Sequence, residues 1–220
     1  AIESAERASI ERSVVEEPVT VILSRRGWIR ARNGHGIDMS GISFKDGDER
    51  FLEIECKTTD QAVLLGQSGK TYTLAVASLP SGRGDGVPVN TLIGSDRDPI
   101  RWLGCGAVET LYLLSTSAGN GFICRLGDMV TRIKAGKEFM SVPEGAEVRP
   151  ALALWPADAA PKSADRAHLA ALSSDGRLLL FPLADVPTRP NGGLGVQLIA
   201  LPEGVTLAAL AVSDGRELGV

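Results

Sequence analysis

Apolar stretches that lead into glycine turns form the dominant pattern of the chain. We predict five of these stretches to be β-strands: Val19–Leu23, Ala62–Leu65, Thr110–Ser115, Leu169–Ser173 and Leu207–Val212. The glycines that mark the turns are Gly27, Gly69, Gly121, Gly176 and Gly215, at steps of 42, 52, 55 and 39 residues. Because glycine adopts positive φ at no steric cost, it suits the tight turn of a β-hairpin.

A second strand follows each of the first four turns. We predict these strands at Gly27–Ala31, Thr71–Val76, Phe122–Leu126 and Arg177–Leu183. Strand pairs that recur at such intervals are typical of propeller-like arrays, in which each unit is one small sheet. The pattern therefore predicts an all-β, disc-like fold with four full units and the opening hairpin of a fifth. Residues 1–17, which are polar and charged, are predicted to be a linker or short helix, and residues 18–220 one domain.

Net charge alone does not identify a partner. The chain carries 23 Lys+Arg against 27 Asp+Glu, a formal net charge of −4. Residues 1–17 hold −3 of it, which leaves 21 basic and 22 acidic side chains over residues 18–220. Because binding follows the local field, a nearly neutral body of this kind can still carry a basic stripe.

The residue types argue against catalysis, cofactors and metals. Cys56, Cys105 and Cys124 are widely spaced and form no C-x-x-C pair, which indicates reduced thiols in a cytoplasmic protein. With two histidines and no cluster of cysteines or carboxylates along the chain, we expect no metal site. There is no G-x-S-x-G elbow and no phosphate-binding loop, so we expect no catalytic residue and no cofactor. No apolar run approaches the roughly 18 residues of a membrane span, and no membrane partner is expected.

Several segments resemble one family in their order along the chain. They are Glu17-Pro18-Val19-Thr20-Val21-Ile22-Leu23-Ser24, Gly27-Trp28-Ile29-Arg30, Gly34-His35-Gly36-Ile37-Asp38, Leu79-Pro80-Ser81-Gly82-Arg83-Gly84-Asp85-Gly86, Ala118-Gly119-Asn120-Gly121-Phe122-Ile123-Cys124 and Gly176-Arg177-Leu178-Leu179-Leu180-Phe181-Pro182. Together they make residues 17–210 similar to the C-terminal domain of ParC, the A subunit of bacterial topoisomerase IV. The related gyrase A domain is the alternative. Its Gln-Arg-Arg-Gly-Gly-Lys-Gly box is absent here, where the first loop reads Arg32-Asn33-Gly34-His35-Gly36-Ile37.

The resemblance implies a β-pinwheel, a propeller-like disc of about five four-stranded blades that exchange an outer strand with their neighbours, as a closed or an open ring. It implies a non-catalytic domain that binds and bends duplex DNA along a basic outer rim. Such a domain steers DNA crossings and supercoil preference during decatenation and relaxation. The partners implied are duplex DNA, the N-terminal catalytic region of the same polypeptide, and the ATPase partner subunit, in the cytoplasm at the nucleoid.

Candidate DNA contacts are the basic residues that recur in the glycine loops and beside the hairpin turns. Lys and Arg neutralise phosphates, and glycine loops allow close approach to the backbone. The candidates are Arg25, Arg26, Arg30, Arg32, His35, Lys70, Arg83, Arg125, Arg132, Lys134, Lys137, Arg177 and Arg189. For His35, a hydrogen bond that stabilises its turn competes with a DNA contact.

A propeller that docks proteins on a flat face is a competing interpretation. Steep loss of duplex affinity with rising salt separates the two, because only a phosphate-binding surface releases counterions. A continuous basic stripe on the folded surface would favour the DNA-binding interpretation.

Overall fold

The computed structural model describes residues 15–81, 84–95, 98–156, 160 and 164–213. Residues 1–14, which contain most of the predicted linker or helix, lie outside this description, as do Arg83 and the turn at Gly215. No helix within the described ranges has the length and apolar character needed to span a membrane.

The regular elements of the described chain are mostly short strands. In chain order they are β1 (Pro18–Ser24), β2 (Trp28–Asn33), β3 (Arg50–Lys57), β4 (Gln61–Gly66), β5 (Lys70–Ala75), β6 (Val87–Pro88), β7 (Ile100–Gly104), β8 (Thr110–Ser115), β9 (Asn120–Arg125), β10 (Lys137–Glu138), β11 (Leu152–Pro156), β12 (His168–Ser173), β13 (Leu178–Pro182), β14 (Val196–Gln197) and β15 (Leu207–Val212). Two single-turn helices, α1 (Val89–Leu92) and α2 (Leu126–Met129), and 3₁₀ turns at Met39–Gly41, Val76–Ser78, Ala164–Arg166 and Leu183–Asp185 complete the elements.

The strands form four antiparallel sheets. Their strand orders are β3-β1-β2-β6, β10-β5-β4-β7, β11-β8-β9-β14 and β13-β12-β15. In the first three sheets, the two-residue strand beside the hairpin comes from the unit that follows in the chain. This exchange of an edge strand between neighbouring sheets is the β-pinwheel arrangement.

The segments that carry the exchanged strands are called straps below. Strap 1 (76–89) contains β6, strap 2 (126–140) contains β10, and strap 3 (183–198) contains β14. Each strap runs from the hairpin of one sheet to the second strand of the preceding sheet.

The hairpin turns close as the glycine pattern predicts. The backbone N–H groups of Gly27, Gly69 and Gly176 each donate to the carbonyl three residues earlier at 3.0 Å, and all three glycines have positive φ. In the third hairpin the turn glycine is Gly119, because Gly121 lies inside β9 and pairs with Ser115. The predicted marker was therefore two residues too late in that copy.

The core lies between successive sheets rather than at one centre. A first apolar cluster joins the first and second sheets through side chains such as Leu23, Leu64 and Tyr72. A second cluster joins the second and third sheets, where the Trp102 and Tyr112 ring centroids lie 4.9 Å apart at an interplanar angle of 66°. Because each sheet buries apolar side chains against its neighbours, the sheets hold one another in position.

Leu207–Val212 was predicted to open a fifth unit, and that assignment is wrong. This segment is β15, the third strand of the fourth sheet, in which Leu169 pairs with Val212 and Ala171 with Leu210. It corresponds to β3, β7 and β11, each of which is the third strand of its sheet. The unit predicted from the sequence had two strands and did not include these third strands. The described residues therefore form four sheets, where about five blades were expected.

The fourth sheet has three strands within the described residues, and no strap covers β13 there. Leu178 and Leu180 in this strand are 68% and 51% exposed. The corresponding edges of the first three sheets are covered by their straps.

Candidate nucleic-acid interface

Each strap is hydrogen-bonded to the second strand of a hairpin, through backbone groups in straps 1 and 3 and through a threonine hydroxyl in strap 2. The N–H of Ala31 in β2 donates to Pro80 O of strap 1 at 2.9 Å, and the N–H of Ile123 in β9 donates to Pro187 O of strap 3 at 2.9 Å. In strap 2 the N–H of Thr131 donates to Thr73 Oγ1 at 2.9 Å. The three straps therefore follow equivalent paths.

A glycine with positive φ directly precedes each exchanged strand. These residues are Gly86, Gly136 and Gly195, with φ of 90°, 85° and 80°. A Cβ at Gly86 would lie 2.3 Å from Ile29 O, and one at Gly195 would lie 2.1 Å from Gly121 O. A side chain would therefore separate the strap from the strand that it covers.

Straps 2 and 3 contact one another, and the segment that follows strap 1 contacts strap 2. The N–H of Gly94, which follows α1, donates to Lys134 O of strap 2 at 2.8 Å. The N–H of Gly193 in strap 3 donates to Phe139 O at 2.8 Å, and Ser141 N–H donates back to Gly193 O at 3.0 Å. Backbone contacts thus link straps 2 and 3 directly, and strap 2 to the segment after strap 1.

Three basic side chains on straps 2 and 3 are exposed and unneutralised. Arg132, Lys134 and Arg189 are exposed, and within the described part of the chain none of their side chains has a hydrogen bond or ion pair. Arg132 and Arg189 occupy equivalent places, one residue after the threonines at which the straps meet β5 and β9. We call these three residues the strap cations. Arg83 of strap 1, the remaining loop candidate, lies outside the described residues.

The candidates beside the hairpins are paired with carboxylates. The salt bridges are Arg25–Glu49 at 2.7 Å, Lys70–Glu138 at 3.3 Å, Arg125–Glu109 at 3.2 Å and Arg177–Asp175 at 3.0 Å. An ion pair leaves little net field for a phosphate, so this part of the predicted set is electrostatically weaker than the strap cations.

Three further candidates donate to backbone carbonyls. Arg30 is 3% exposed, and its guanidinium donates to Ser43 O at 2.6 Å and to Gly84 O. Lys137 Nζ donates to Asp128 O at 2.9 Å, and Arg26 Nη1 donates to Asp46 O at 3.1 Å. In this structure Arg30 joins the loop at Ser43 to strap 1 at Gly84, and its contact with DNA stays a prediction.

Arg32 lies near this buried arginine in the first unit, and His35 lies in the loop that follows β2. Arg32 is half-buried and lines a small surface cleft with Arg30, Ile42 and Ser43. The pKa of Arg30 is lowered, first by burial and then by the neighbouring charge of Arg32. His35 Nε2 lies 2.8 Å from Cys56 O, which is the geometry of a hydrogen bond that stabilises its loop.

Two features were missed in the sequence. Lys45 Nζ lies 3.5 Å from the centroid of the Trp28 ring, which is a cation–π contact. The sequence indicated only that Lys45 begins a turn at 45–48. Cys56 and Cys105, treated as isolated thiols, are brought together with Asp60. Hydrogen bonding from Cys105 lowers the pKa of the Cys56 thiol and outweighs the effect of burial, which raises it.

Comparisons with known protein families, sequences and structures agree on one group of related proteins. A family model described as the DNA gyrase C-terminal domain, beta-propeller, matches residues 167–214. The A subunit of DNA topoisomerase 4 from Neisseria gonorrhoeae is 39% identical over 222 residues, which cover 99% of this chain and 28% of that protein. The chain thus spans little more than a quarter of the length of this relative.

Solved structures agree with the observed topology. The structure of the E. coli ParC C-terminal domain is similar with a TM-score of 0.79 and 31% identity, covering 89% of this chain and 79% of the other. A gyrase A C-terminal domain structure is similar with a TM-score of 0.60 and 19% identity, covering 88% of this chain and 64% of the other, a likeness of fold alone. Because the ParC domain is more than 30% identical and this chain covers more than two thirds of it, the chain belongs to the family of C-terminal domains of ParC, the A subunit of DNA topoisomerase IV.

Proposed function

We propose that the chain binds duplex DNA across its straps, with the strap cations Arg132, Lys134 and Arg189 on the phosphates. The observation that carries this proposal is their position: exposed, unpaired among the described residues, and borne by straps that contact one another. Membership in the ParC family supports the proposal of DNA binding, because ParC is a subunit of a DNA topoisomerase.

Cations on successive sheets suit a curved path for the duplex. A duplex carries closely spaced phosphate charges, so neutralising it along one side favours bending toward that side. The strap cations are proposed to contact phosphates, and phosphate contacts carry no sequence information. We therefore propose sequence-independent binding with bending, and Arg32 in β2 extends the same surface to the first sheet. Contact of Arg83 with DNA stays a prediction from the sequence.

The role within a longer protein is part of the proposal. Because the curated relatives are much longer, we propose that this domain supplies no catalytic group of its own. Strand passage and ATP hydrolysis are then the work of the N-terminal region of the same polypeptide and of an ATPase partner subunit, at the nucleoid. The domain presents DNA crossings to that machinery during decatenation and relaxation.

The test of binding compares two triple variants with the same change in net charge. Arg132→Ala/Lys134→Ala/Arg189→Ala removes the strap cations, and Arg25→Ala/Arg125→Ala/Arg177→Ala removes three hairpin cations that are salt-bridged. Fluorescence anisotropy with a short labelled duplex is measured at several salt concentrations. We expect the strap variant to lose about 100-fold in affinity, at about 1 kcal/mol per phosphate contact in water.

Salt dependence gives the second readout of the same experiment. Removing one phosphate contact reduces the slope of log K against log salt by about 0.9, so the strap variant is expected to flatten it by about 2.7. The hairpin variant should keep most of the affinity and the slope. Equal losses in both variants would show that binding follows net charge and would refute the strap site.

Bending and the role in the longer protein are tested separately. A duplex with a fluorophore at each end should show higher energy transfer when the protein binds, and the strap variant should abolish the increase. Placed in the full-length protein, the same substitutions are expected to slow decatenation while the cleavage reaction of the N-terminal region is retained. Unchanged energy transfer on binding would contradict bending while leaving binding intact.

A further inference from the structure

Two cysteines that are 49 residues apart in sequence meet between the first and second sheets. Cys56 lies in β3, and Cys105 directly follows β7; both are buried. Asp60, which is half-buried, lies in the turn that leads from β3 to β4 and therefore from the first sheet to the second. The two Sγ atoms and one carboxylate oxygen lie within 4.8 Å of one another.

The surrounding backbone fixes this cluster of Cys56, Asp60 and Cys105. The N–H of Lys57 donates to Asp60 Oδ2 at 2.8 Å, and Val76 N–H donates to Asp60 O at 3.0 Å. The first hydrogen bond orients the carboxylate in the way that outer partners orient metal ligands, and the second fixes the backbone of Asp60. Cys105 Sγ lies 3.3 Å from Gln61 O, so a carbonyl oxygen is also close to the cluster.

We propose that Cys56, Cys105 and Asp60 bind a thiolate-preferring divalent cation, of which Zn²⁺ is the best match. Zinc takes Cys sulfur at about 2.3 Å and carboxylate oxygen at about 2.0–2.2 Å in a tetrahedral arrangement. Ligand atoms of such a site lie roughly 3.3–3.8 Å apart, and the three atoms of this cluster lie within 4.8 Å of one another, so small side-chain movements bring them to ligand spacing. Water completes the fourth position.

The charges and protons of this step balance. Each thiol releases its proton to solvent as its sulfur binds the cation, so one Zn²⁺ replaces two protons. Two thiolates and one carboxylate carry three negative charges, of which the cation neutralises two. The carboxylate of the half-buried Asp60 lies beside two buried thiols, and the cation gives it a partner of opposite charge.

The ligands come from both sides of a junction between sheets. Cys56 belongs to the first sheet, Cys105 adjoins the second, and Asp60 lies in the connection between them. Binding is therefore expected to stabilise the junction of the first two sheets. Cys124 is also buried, in β9, and is not part of the cluster, so it provides a matched control cysteine.

The test uses the protein reduced with a phosphine, freed of metal with a chelator and titrated with Co²⁺. Tetrahedral thiolate ligation produces sulfur-to-cobalt charge-transfer absorption and intense visible d–d bands, and added Zn²⁺ should abolish both. We expect one metal per chain by elemental analysis after dialysis. Cys56→Ser and Cys105→Ser should lose the charge-transfer absorption, and Asp60→Asn should weaken Zn²⁺ affinity at least 10-fold, the lower end for lost metal-site partners.

Cys124→Ser should bind like the unchanged protein. Because serine in a core can impair folding, circular dichroism of each metal-free variant is recorded first, and Asp60→Asn, at a half-buried turn, serves as the variant least exposed to that problem. Absence of charge-transfer absorption in the folded, reduced protein would overturn the proposal. So would equal Zn²⁺ affinity in the unchanged protein and in folded Asp60→Asn and Cys56→Ser.

Discussion

The guanidinium of Arg30 donates a 2.6 Å hydrogen bond to the backbone carbonyl of Ser43, in the loop between β2 and β3. The same group donates to Gly84 O of strap 1, and it lies over the Phe44 ring at 5.1 Å from the centroid. Arginine suits such a position because its planar group donates to two acceptors at once. Arg30 therefore joins a loop of the first sheet to the strap that covers it.

Replacing Arg30 is expected to reduce stability first and DNA affinity second. Hydrogen bonds that involve a charged group contribute about 1.5–3 kcal/mol, so Arg30→Ala should lower the free energy of unfolding by about 2–3 kcal/mol in urea titrations. Arg30→Lys should recover only part of the lost stability, because an ammonium group lacks the planar set of N–H donors that reaches two acceptors at once. Arg25→Ala, which breaks an exposed ion pair, is the control and should cost less than about 1 kcal/mol. A stable Arg30→Ala variant with much weaker DNA binding would instead make Arg30 a phosphate contact.

Asp48 fixes the turn of the first hairpin and should make stability depend on pH. Its carboxylate accepts hydrogen bonds from Ser24 Oγ at 2.6 Å, Arg26 N at 3.0 Å and Glu49 N at 2.9 Å. Burial raises the pKa of Asp48, but the hydrogen bonds together lower it by more. The pKa of Asp48 is therefore below its ordinary value. A carboxyl group with a lowered folded-state pKa stabilises the fold above its unfolded pKa of about 3.9, and the contribution disappears as pH falls through the folded pKa.

We therefore expect Asp48→Asn to weaken the loss of stability that accompanies acidification below about pH 4. Urea midpoints measured from neutral to acidic pH give this dependence. Asp46→Asn changes a neighbouring carboxylate that holds none of these three hydrogen bonds, and it should leave the acid dependence as in the unchanged protein. Identical pH profiles for Asp48→Asn and the unchanged protein would contradict this interpretation.

The strands of the hairpins could be predicted because they are buried and bounded by turn glycines. Thr110–Ser115 is observed as predicted, and Ala62–Leu65 differs from β4 by one residue at each end. The third strands were missed because sequence alone does not say which of several apolar segments joins a sheet. One signal was present: the turn at 201–204 precedes β15 as the turn at 45–48 precedes β3.

The candidate site could be predicted by residue type and only in part by position. Arg132, Lys134 and Arg189 were selected for their place in glycine loops, and the straps put them on one connected surface. The sequence could not show which basic residues are neutralised, because Arg25 meets Glu49 and Arg125 meets Glu109 only through the register of the fold. The same reason explains why Cys56 and Cys105 looked isolated.

The glycine before each exchanged strand is predicted to be required for strap docking. Gly86 has φ of 90°, and an added Cβ would lie 2.3 Å from Ile29 O. Gly86→Ala should cost more than about 1 kcal/mol of unfolding free energy, since the positive φ alone costs a substituted residue about that much. Gly84→Ala is the matched control on strap 1, because its Cβ would meet no atom within 4 Å. Equal stability of the two variants, measured by urea denaturation, would show that the strap adjusts without cost.

Among the described residues no strap covers β13, and its side chains are more exposed than those of its counterparts. Four residues after the turn glycine, Ala31 of β2 and Ile123 of β9 lie under straps and are 5% and 7% exposed, whereas Leu180 of β13 is 51% exposed. Its neighbour Leu178 is 68% exposed. An unpaired strand edge with exposed leucines is a template for pairing with another strand.

We therefore predict that the protein self-associates through β13 as its concentration rises. Sedimentation velocity should show a concentration-dependent shift, and Leu178→Lys/Leu180→Lys should reduce it, because charges on an edge strand oppose pairing between copies. Leu194→Lys changes another exposed leucine that lies outside the strands and should leave association unchanged. The two lysines replace exposed side chains, so folding should be retained and any loss of association can be assigned to the edge itself. A monomer at every concentration would contradict the prediction and would mean that the exposed leucines of β13 are tolerated without a partner.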